Sequence, residues 1–140
     1  IGEVASARVA AWMVESGQTG SLFTLFTHHA KTTRALILSL RNALLKEGRF
    51  SSERVAAEQV VNVVNFDVHL HLDREGRRYI ERITQICENP RAPEGYELLD
   101  LIVCEDGVYE RKNRLPLATR RDMERWMSAQ EKEAFRVADI

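Results

Sequence analysis

Residues 19–30, Thr-Gly-Ser-Leu-Phe-Thr-Leu-Phe-Thr-His-His-Ala, carry the pattern on which the fold prediction depends. Residues 21–27 are rich in Phe, Leu and Thr, which predicts a β-strand. Its near-continuous apolar run further predicts a strand that is covered on both faces. The strand leads into a polar turn at residues 27–30, and α/β proteins keep ligand-facing groups at such strand ends. The stretch therefore predicts a sheet-based fold with a polar site at the end of one strand.

Three amphipathic helices are predicted around this stretch. The first covers residues 6–16, places Val9, Trp12 and Met13 on one face, and ends at Gly17. The second covers residues 31–47, ends at Gly48, and repeats leucine at the spacing of a helix face: Leu36, Leu40 and Leu44. The third begins at a Ser51 or Ser52 cap, and its predicted core face is Ala56, Val60, Val63 and Val64.

Two β-hairpins and a final helix are predicted for the second half. Residues 65–73 alternate between apolar and polar side chains, which predicts a half-buried strand that returns as residues 78–87. Its apolar face, which is expected to be buried, is Phe66, Val68, Leu70 and Leu72. Its polar face, which is expected to be exposed, is Asp67, His69, His71 and Asp73. Residues 89–95 form a loop, and residues 97–104 and 108–111 a second hairpin turning on Asp106-Gly107. Thr119 is expected to cap one helix that extends to about Ala138, with its apolar residues at Met123, Trp126, Met127 and Phe135.

The composition is that of an ordinary soluble globular domain, with 140 residues, 44% hydrophobic and 29% charged. A net charge of −1 gives no electrostatic reason to bind nucleic acid or an anionic membrane. The two cysteines, Cys87 and Cys104, are predicted to be reduced thiols. No apolar run is long enough to span a bilayer, and no signal peptide is visible. The start at Ile-Gly-Glu, without a methionine, suggests an excised domain.

Several motifs together resemble those of the ATPases of type II/IV secretion systems. Thr19-Gly20, followed in phase by Thr27-x-His29-Ala30, resembles the family's "His box", and the motors of Tad (Flp, tight-adherence) pili are the branch that is most similar. Ile1-Gly2-Glu3-Val4 resembles the end of the family's Walker B strand. Further similar segments are 58–60, 65–70, 75–78 and 81–86. The resemblance covers roughly residues 1–105, and the sequence contains no G-x-x-x-x-G-K-[ST] phosphate loop.

This resemblance implies a mixed α/β fold, the C-terminal part of a RecA-like P-loop ATPase domain, with antiparallel hairpins and covering helices in a single domain over residues 1–140. It implies that Glu3 is the Walker B glutamate that orients or deprotonates water, and that His29 contacts the terminal phosphate. Thr27 would hold the turn or the imidazole ring of His29. Thr19 and Gly20 would also belong to the nucleotide site. His28 is expected to be a solvent-facing neighbour. The family's arginine after Gly-Glu-Val is replaced here by Ala5.

The implied cofactors are ATP and Mg²⁺ in a longer parent protein, and this chain is expected to be inactive alone because it has no phosphate loop. The implied partners are further copies in a hexameric ring and the inner-membrane platform proteins of a secretion or pilus machine. The implied location is cytoplasmic, at the inner face of the cell membrane. The cut edge of the truncated sheet could also be covered by dimerisation.

Other interpretations stay open from the residues alone. The chain could be a non-catalytic interaction module that kept the fold and lost the nucleotide chemistry. His69 and His71 could bind zinc together with an acidic residue of the same face. A serine hydrolase using His29 has no nucleophile-elbow signature. The arginine-rich segments 77–78, 111–114 and 120–121 are either a solvated surface or a subunit contact, and the terminal helix is either core or a docking surface.

Overall fold

The computed structural model describes residues 2–20 and 23–138. Within them it contains five α-helices and one four-stranded antiparallel sheet, which confirms the mixed α/β class. The elements, in chain order, are α1 (Ala7–Gln18), α2 (Thr33–Lys46), α3 (Glu53–Val63), β1 (Phe66–Leu72), β2 (Arg78–Glu88), β3 (Tyr96–Glu105), β4 (Val108–Arg111), α4 (Leu117–Glu124) and α5 (Ala129–Val137). None of the helices in the described part combines the length and apolar character that crossing a bilayer requires.

Helices α1, α2 and α3 form the helical layer that contains most of the core. Each begins at a hydroxyl side chain, Ser6, Thr32 or Ser52, that accepts a hydrogen bond from a backbone N–H of the first turn. The predicted leucine stripe of α2 is confirmed, since Leu36, Leu40 and Leu44 are all buried. The predicted face of α1 is correct for Met13 and wrong for Trp12, which is 58% exposed. The buried face of α1 consists of Ala10, Ala11, Met13 and Val14.

The prediction that α1 ends at Gly17 is wrong, because the helix continues through Gly17 to Gln18. A Cβ atom added at Gly17 would lie 2.3 Å from Cγ1 of Val63, at the end of α3. Glycine is therefore needed here for the close approach of α1 and α3 rather than for a helix stop.

The sheet follows the chain in the order β1-β2-β3-β4, and both predicted hairpins are confirmed. In the first turn, the Asp73 carboxylate accepts hydrogen bonds from the backbone N–H groups of Glu75 and Arg77, at 2.9 and 2.8 Å. In the second, Asp106 and Gly107 both have positive φ, as a tight hairpin turn of two residues requires.

The predicted orientation of β1 is wrong. Its apolar residues, Phe66, Val68, Leu70 and Leu72, are exposed, while the opposite face turns toward the helical layer. On the inward face, Asp67 stands opposite the buried Thr84 of β2 and accepts a hydrogen bond from the Thr33 hydroxyl on α2 at 2.7 Å. On the same face of the sheet, Thr84 and Ile86 of β2 are buried, and the Thr84 hydroxyl donates to Asp100 at 2.6 Å. The covered face is therefore held partly by polar contacts.

The buried strand predicted over residues 21–27 is also not found. Residues 21 and 22 lie outside the described part of the chain. Phe23 and Leu25 are exposed by 78% and 68%, and the β-pairing of the described segment is one isolated parallel bridge, at Thr27. Of its apolar side chains, Phe26 packs against the core. Since the side chains of Phe23 and Leu25 are exposed, the segment is not covered on both faces.

The predicted C-terminal helix is two helices, because a turn separates α4 from α5. Thr119 is not a cap; its hydroxyl accepts a hydrogen bond at 2.5 Å from the buried side chain of Gln85 on β2. Helices α4 and α5 contain no buried residue, and Trp126, in the turn between them, is 72% exposed. The interpretation of the terminal helix as core is therefore wrong for Trp126.

Helix α5 begins at a capping box, and this gives a pH prediction. The N–H of Ser128 donates to the Glu131 carboxylate at 2.7 Å, and the Ser128 hydroxyl accepts from the N–H of Glu131 at 3.3 Å. These bonds, the backbone one first, lower the pKa of Glu131 below its ordinary 4.5. The stabilisation is present above the pKa of the unfolded chain and is lost as the pH falls through the lower pKa of the folded chain.

We therefore expect the Cα chemical shifts of residues 129–137 to lose helical character as the pH falls below about 4.5. Glu131→Gln keeps an acceptor that does not titrate, so its shifts should change much less over the same range. An equal loss of helical shifts in both chains would contradict this prediction.

Candidate functional site at Glu3 and His29

Two short extended segments, residues 2–4 and 25–27, meet in the parallel bridge between Glu3 and Thr27. The N–H of Val4 donates to the carbonyl oxygen of Thr27 at 2.9 Å, and the N–H of Thr27 donates to the carbonyl oxygen of Gly2 at 3.3 Å. The Thr27 hydroxyl donates to the same carbonyl oxygen of Gly2. Backbone and side chain of Thr27 therefore fix the two segments side by side.

This pairing brings the side chains of Glu3 and His29 together, although they are 26 positions apart. His29 Nε2 lies 3.2 Å from Glu3 Oε1. The His29 side chain is 94% exposed and that of Glu3 50% exposed, so the pair contributes little to stability. Both groups are instead open to a ligand in solution.

His28 lies on the opposite side of the segment, and the expectation that it faces solvent is wrong. Its ring is part-buried, with Nδ1 3.3 Å from the carbonyl oxygen of Val4 and Nε2 3.2 Å from the hydroxyl of Ser39 on α2. It lines a cavity of about 170 Å³ together with Val4, Ser39 and Leu40. His28 therefore attaches the paired segments to the helical layer, and this orientation leaves the neighbouring His29 outside.

Thr19 and Gly20 lie apart from this pair. The Thr19 hydroxyl donates to the carbonyl oxygen of Ser16 at 2.9 Å and so closes the C-terminal end of α1. The Glu3 segment enters α1 at the other end, and 12 helical residues span about 18 Å. The structure thus unites Glu3, Thr27 and His29 and leaves Thr19 and Gly20 at the far end of the helix.

A carboxylate beside an imidazole can orient a water molecule and accept or return a proton. A carboxylate oxygen is also a ligand that Mg²⁺ prefers, and an imidazole N–H can donate to a phosphate oxygen. The pair can therefore act on a water molecule, a cation or a phosphate group. The described residues do not contain a phosphate loop.

The histidines of β1 do not form the metal site that the sequence left open. His69 Nε2 and His71 Nδ1 lie 3.6 and 3.8 Å from the carboxylate oxygens of Glu81, the bulged residue of β2, and Arg82 Nη1 lies 3.1 Å from it. Asp67 instead bonds Thr33. Within residues 2–20 and 23–138, no group of three or more His, Cys, Asp or Glu side chains could hold a metal ion.

Other polar groups that the sequence singled out have structural partners. Arg77 pairs with Asp73 and Glu75, and Arg120 pairs with Glu124, as a solvated charged surface would. Cys87 and Cys104 are free thiols, as predicted, and burial raises the pKa of Cys87.

A second cavity, of about 600 Å³, was not predicted from the sequence. It lies between Arg34 of α2 and residues 89–97, which form the loop after β2 and the start of β3, and its lining includes Arg91, Glu94 and Tyr96. Arg34 and Glu94 form an ion pair across it, and burial raises the pKa of Tyr96 to about 12. In the sequence these residues are an ordinary loop and a solvated helix position, since 60 positions separate Arg34 from Glu94.

Comparisons with known proteins do not identify the chain. No model of a known protein family matches it. A search of curated proteins also finds no match.

Proposed function

We propose that this chain is the C-terminal part of the motor domain of an ATPase for type II/IV secretion or Tad-type pilus assembly. The observation that carries the proposal is the parallel bridge at Thr27, with Glu3 Oε1 3.2 Å from His29 Nε2. Such an arrangement is expected if the segment ending at Glu3 and the segment ending at the His box are neighbouring parallel strands of a RecA-like sheet. The motif similarity suggested both residues independently of their distance in space.

In this proposal Glu3 and His29 divide the work at the terminal phosphate. Glu3 orients the attacking water and accepts its proton on a carboxylate oxygen. His29 Nε2, beside it, donates to a terminal phosphate oxygen and responds when that phosphate leaves. Mg-ATP, when bound, supplies the reactive γ-phosphoryl group. Thr27 positions both groups through its hydroxyl bond to Gly2.

The exposure of His29 supports this role, because a purely structural histidine would have its ring nitrogens engaged by neighbouring groups, as those of His28 are by the Val4 carbonyl oxygen and the Ser39 hydroxyl. Thr19 and Gly20 are proposed to belong to the nucleotide site only through another part of the nucleotide, since about 18 Å of helix separates them from His29. Ala5 stands where the family has an arginine, so this chain lacks any function that the arginine has in the family.

The wider proposal follows from the same resemblance. The parent protein would assemble as a hexameric ring, contact inner-membrane platform proteins, and work in the cytoplasm at the inner face of the membrane. Its activity would convert ATP hydrolysis into movement that drives secretion or pilin assembly.

A non-catalytic interaction module is the second candidate. The exposed apolar residues of β1 favour it, because a contiguous apolar surface marks a contact site on a folded protein. Under this candidate the Glu3–His29 pair would have no catalytic role.

Mg-ATP turnover by two chains tests the proposal: the 140 residues alone, and a chain extended upstream through a phosphate loop. We expect the short chain to be inactive and the extended chain to hydrolyse ATP. An inactive extended chain that is folded would contradict the motor proposal and leave the interaction module as the better account.

A further inference from the structure

The outer edge of β1 is an unpaired sheet edge. Strand β1 pairs with β2 alone, and within the described residues no strand lies on its other side. Its seven residues contain neither proline nor lysine, which natural edge strands commonly use to prevent pairing. The opposite edge strand, β4, has only four residues and carries Glu110 and Arg111. Of the two edges, β1 is therefore the one that can accept a long strand.

The backbone N–H and C=O groups of β1 point alternately toward β2 and away from it. The N–H of Ile86 on β2 donates to the carbonyl oxygen of Asn65 at 2.9 Å, so the hydrogen-bonding groups of Asn65 point toward β2. Because these groups alternate along a strand, those of Phe66, Val68, Leu70 and Leu72 point away from β2. These four residues offer a regular row of donors and acceptors at the edge.

The sequence of β1 is complementary to itself about His69. If a second copy pairs antiparallel with His69 opposite His69, Phe66 faces Leu72 and Val68 faces Leu70 of the second copy. These are the residues whose backbone groups point outward, so they form the hydrogen-bonded pairs. Asp67 then faces His71 of the second copy at a non-hydrogen-bonded position, where opposing side chains lie closest. The two-fold axis produces this acid–imidazole pair twice.

The contacts that Asp67 and His71 make within one copy leave both side chains able to pair with the second copy. Asp67 accepts one hydrogen bond from Thr33, and a carboxylate accepts more than one. The His71 side chain is half-exposed, with Nδ1 3.8 Å from Glu81 and its ring edge-on to Tyr79. Nε2 is therefore the nitrogen that would meet Asp67 of the second copy.

The charges also select the register. Sliding one copy by two residues in one direction sets Asp67 opposite Asp73 and His69 opposite His71, which are pairs of like groups. Sliding it in the other direction leaves only residues 66–70 of β1 paired. The register centred on His69 alone uses all seven residues. On the polar face it sets Asp67 opposite His71 twice and has one pair of like groups, His69 opposite His69.

We propose that two copies of this chain associate through the outer edges of β1, antiparallel and centred on His69, to form an eight-stranded sheet. The exposed apolar residues of the two strands then make one continuous row, with each side chain beside an apolar side chain of the other copy. The proposal concerns an assembly surface and does not rest on the nucleotide chemistry of Glu3 and His29.

The molar mass of the 140-residue chain, measured by sedimentation over a wide concentration range, tests the proposal with two proline variants. Val68→Pro removes an outward N–H of β1 and leaves the β1–β2 bonds intact. Tyr109→Pro is the matched control on the opposite edge, because the N–H of Lys112 donates to Leu101 at 2.9 Å and alternation then turns the N–H of Tyr109 outward. We expect a dimer for the native chain and Tyr109→Pro, and a monomer for Val68→Pro.

A charge variant keeps the test decisive if Val68→Pro does not fold. His71→Asp sets two carboxylates opposite each other twice, and we expect the dimer dissociation constant to rise at least about tenfold. Asn62→Asp, on the exposed surface of α3, adds the same carboxylate elsewhere and should leave the constant unchanged. A native chain that stays monomeric would overturn the proposal and leave a strand of another protein as the occupant of this edge. A dimer that is lost in Tyr109→Pro, or one that is indifferent to His71→Asp, would also overturn it.

Discussion

Leu40→Ala is expected to lower the free energy of unfolding by about 2–5 kcal/mol. Leu40 lies in the middle of α2, is fully buried, and belongs to the core formed by the three helices of the helical layer. Truncation removes three carbon atoms from this core and leaves a cavity that the neighbouring helices cannot easily close. Urea unfolding followed by circular dichroism, at a fixed protein concentration, measures the loss.

The matched control is Leu117→Ala on α4. Leu117 is 70% exposed, so the same chemical change should alter the free energy of unfolding by less than about 0.5 kcal/mol. Equal effects of the two substitutions would contradict the assignment of the core to α1–α3.

Gly17→Ala is expected to destabilise the protein by about 1–3 kcal/mol, although alanine is the better helix former. The new Cβ atom would lie 2.3 Å from Cγ1 of Val63, and a valine side chain has little freedom to move away. The steric cost should exceed the gain of about 1 kcal/mol in helix propensity. Thermal and urea unfolding of the variant measure the net change.

A double-mutant cycle with Val63→Ala isolates the contact. Removing both γ-methyl groups of Val63 makes room for the methyl group that Gly17→Ala adds, so the double variant should be more stable than the sum of the two single effects predicts. Additive effects would show that the clash between α1 and α3 is not the cause.

Helix α2 could be predicted from the sequence because the leucines Leu36, Leu40 and Leu44 recur at helical spacing and all three enter the core. The alternation in β1 likewise predicts which side chains share a face. It could not show which face turns inward, because that face is defined by contacts with residues distant in sequence, Thr84 of β2 and Thr33 of α2. A burial rule based on hydrophobicity alone therefore selects the wrong side.

Single residues in the sequence also predict helix ends wrongly where a contact with a distant residue or an unrecognised cap sets the end of the helix. Glycine after an apolar helical pattern predicts a helix stop, but the role of Gly17 depends on Val63, 46 positions further along the chain. A threonine after proline predicts a cap, but the Thr119 hydroxyl bonds Gln85. The break before α5 is visible in the sequence as Ser128 followed three residues later by Glu131, a capping box that the longer apolar pattern obscures.

The candidate site could be predicted only in part. Spacing and composition single out the His-His turn, but they give no reason to join it to Glu3. The similarity to secretion ATPases suggested both residues, and the parallel bridge at Thr27 accounts for their proximity. His28 could not be distinguished from His29 by sequence alone, because its burial depends on Ser39 of α2.

The most direct test of the motor proposal is Mg-ATP turnover by a chain extended upstream through a phosphate loop, with Glu3→Gln, His29→Ala and Asn62→Ala compared. Asn62 is the control, exposed on α3 and outside both the Glu3–His29 pair and β1. We expect Glu3→Gln and His29→Ala each to reduce turnover at least about tenfold, and Asn62→Ala to leave it near the native rate. Turnover that persists in both Glu3→Gln and His29→Ala would contradict the proposal.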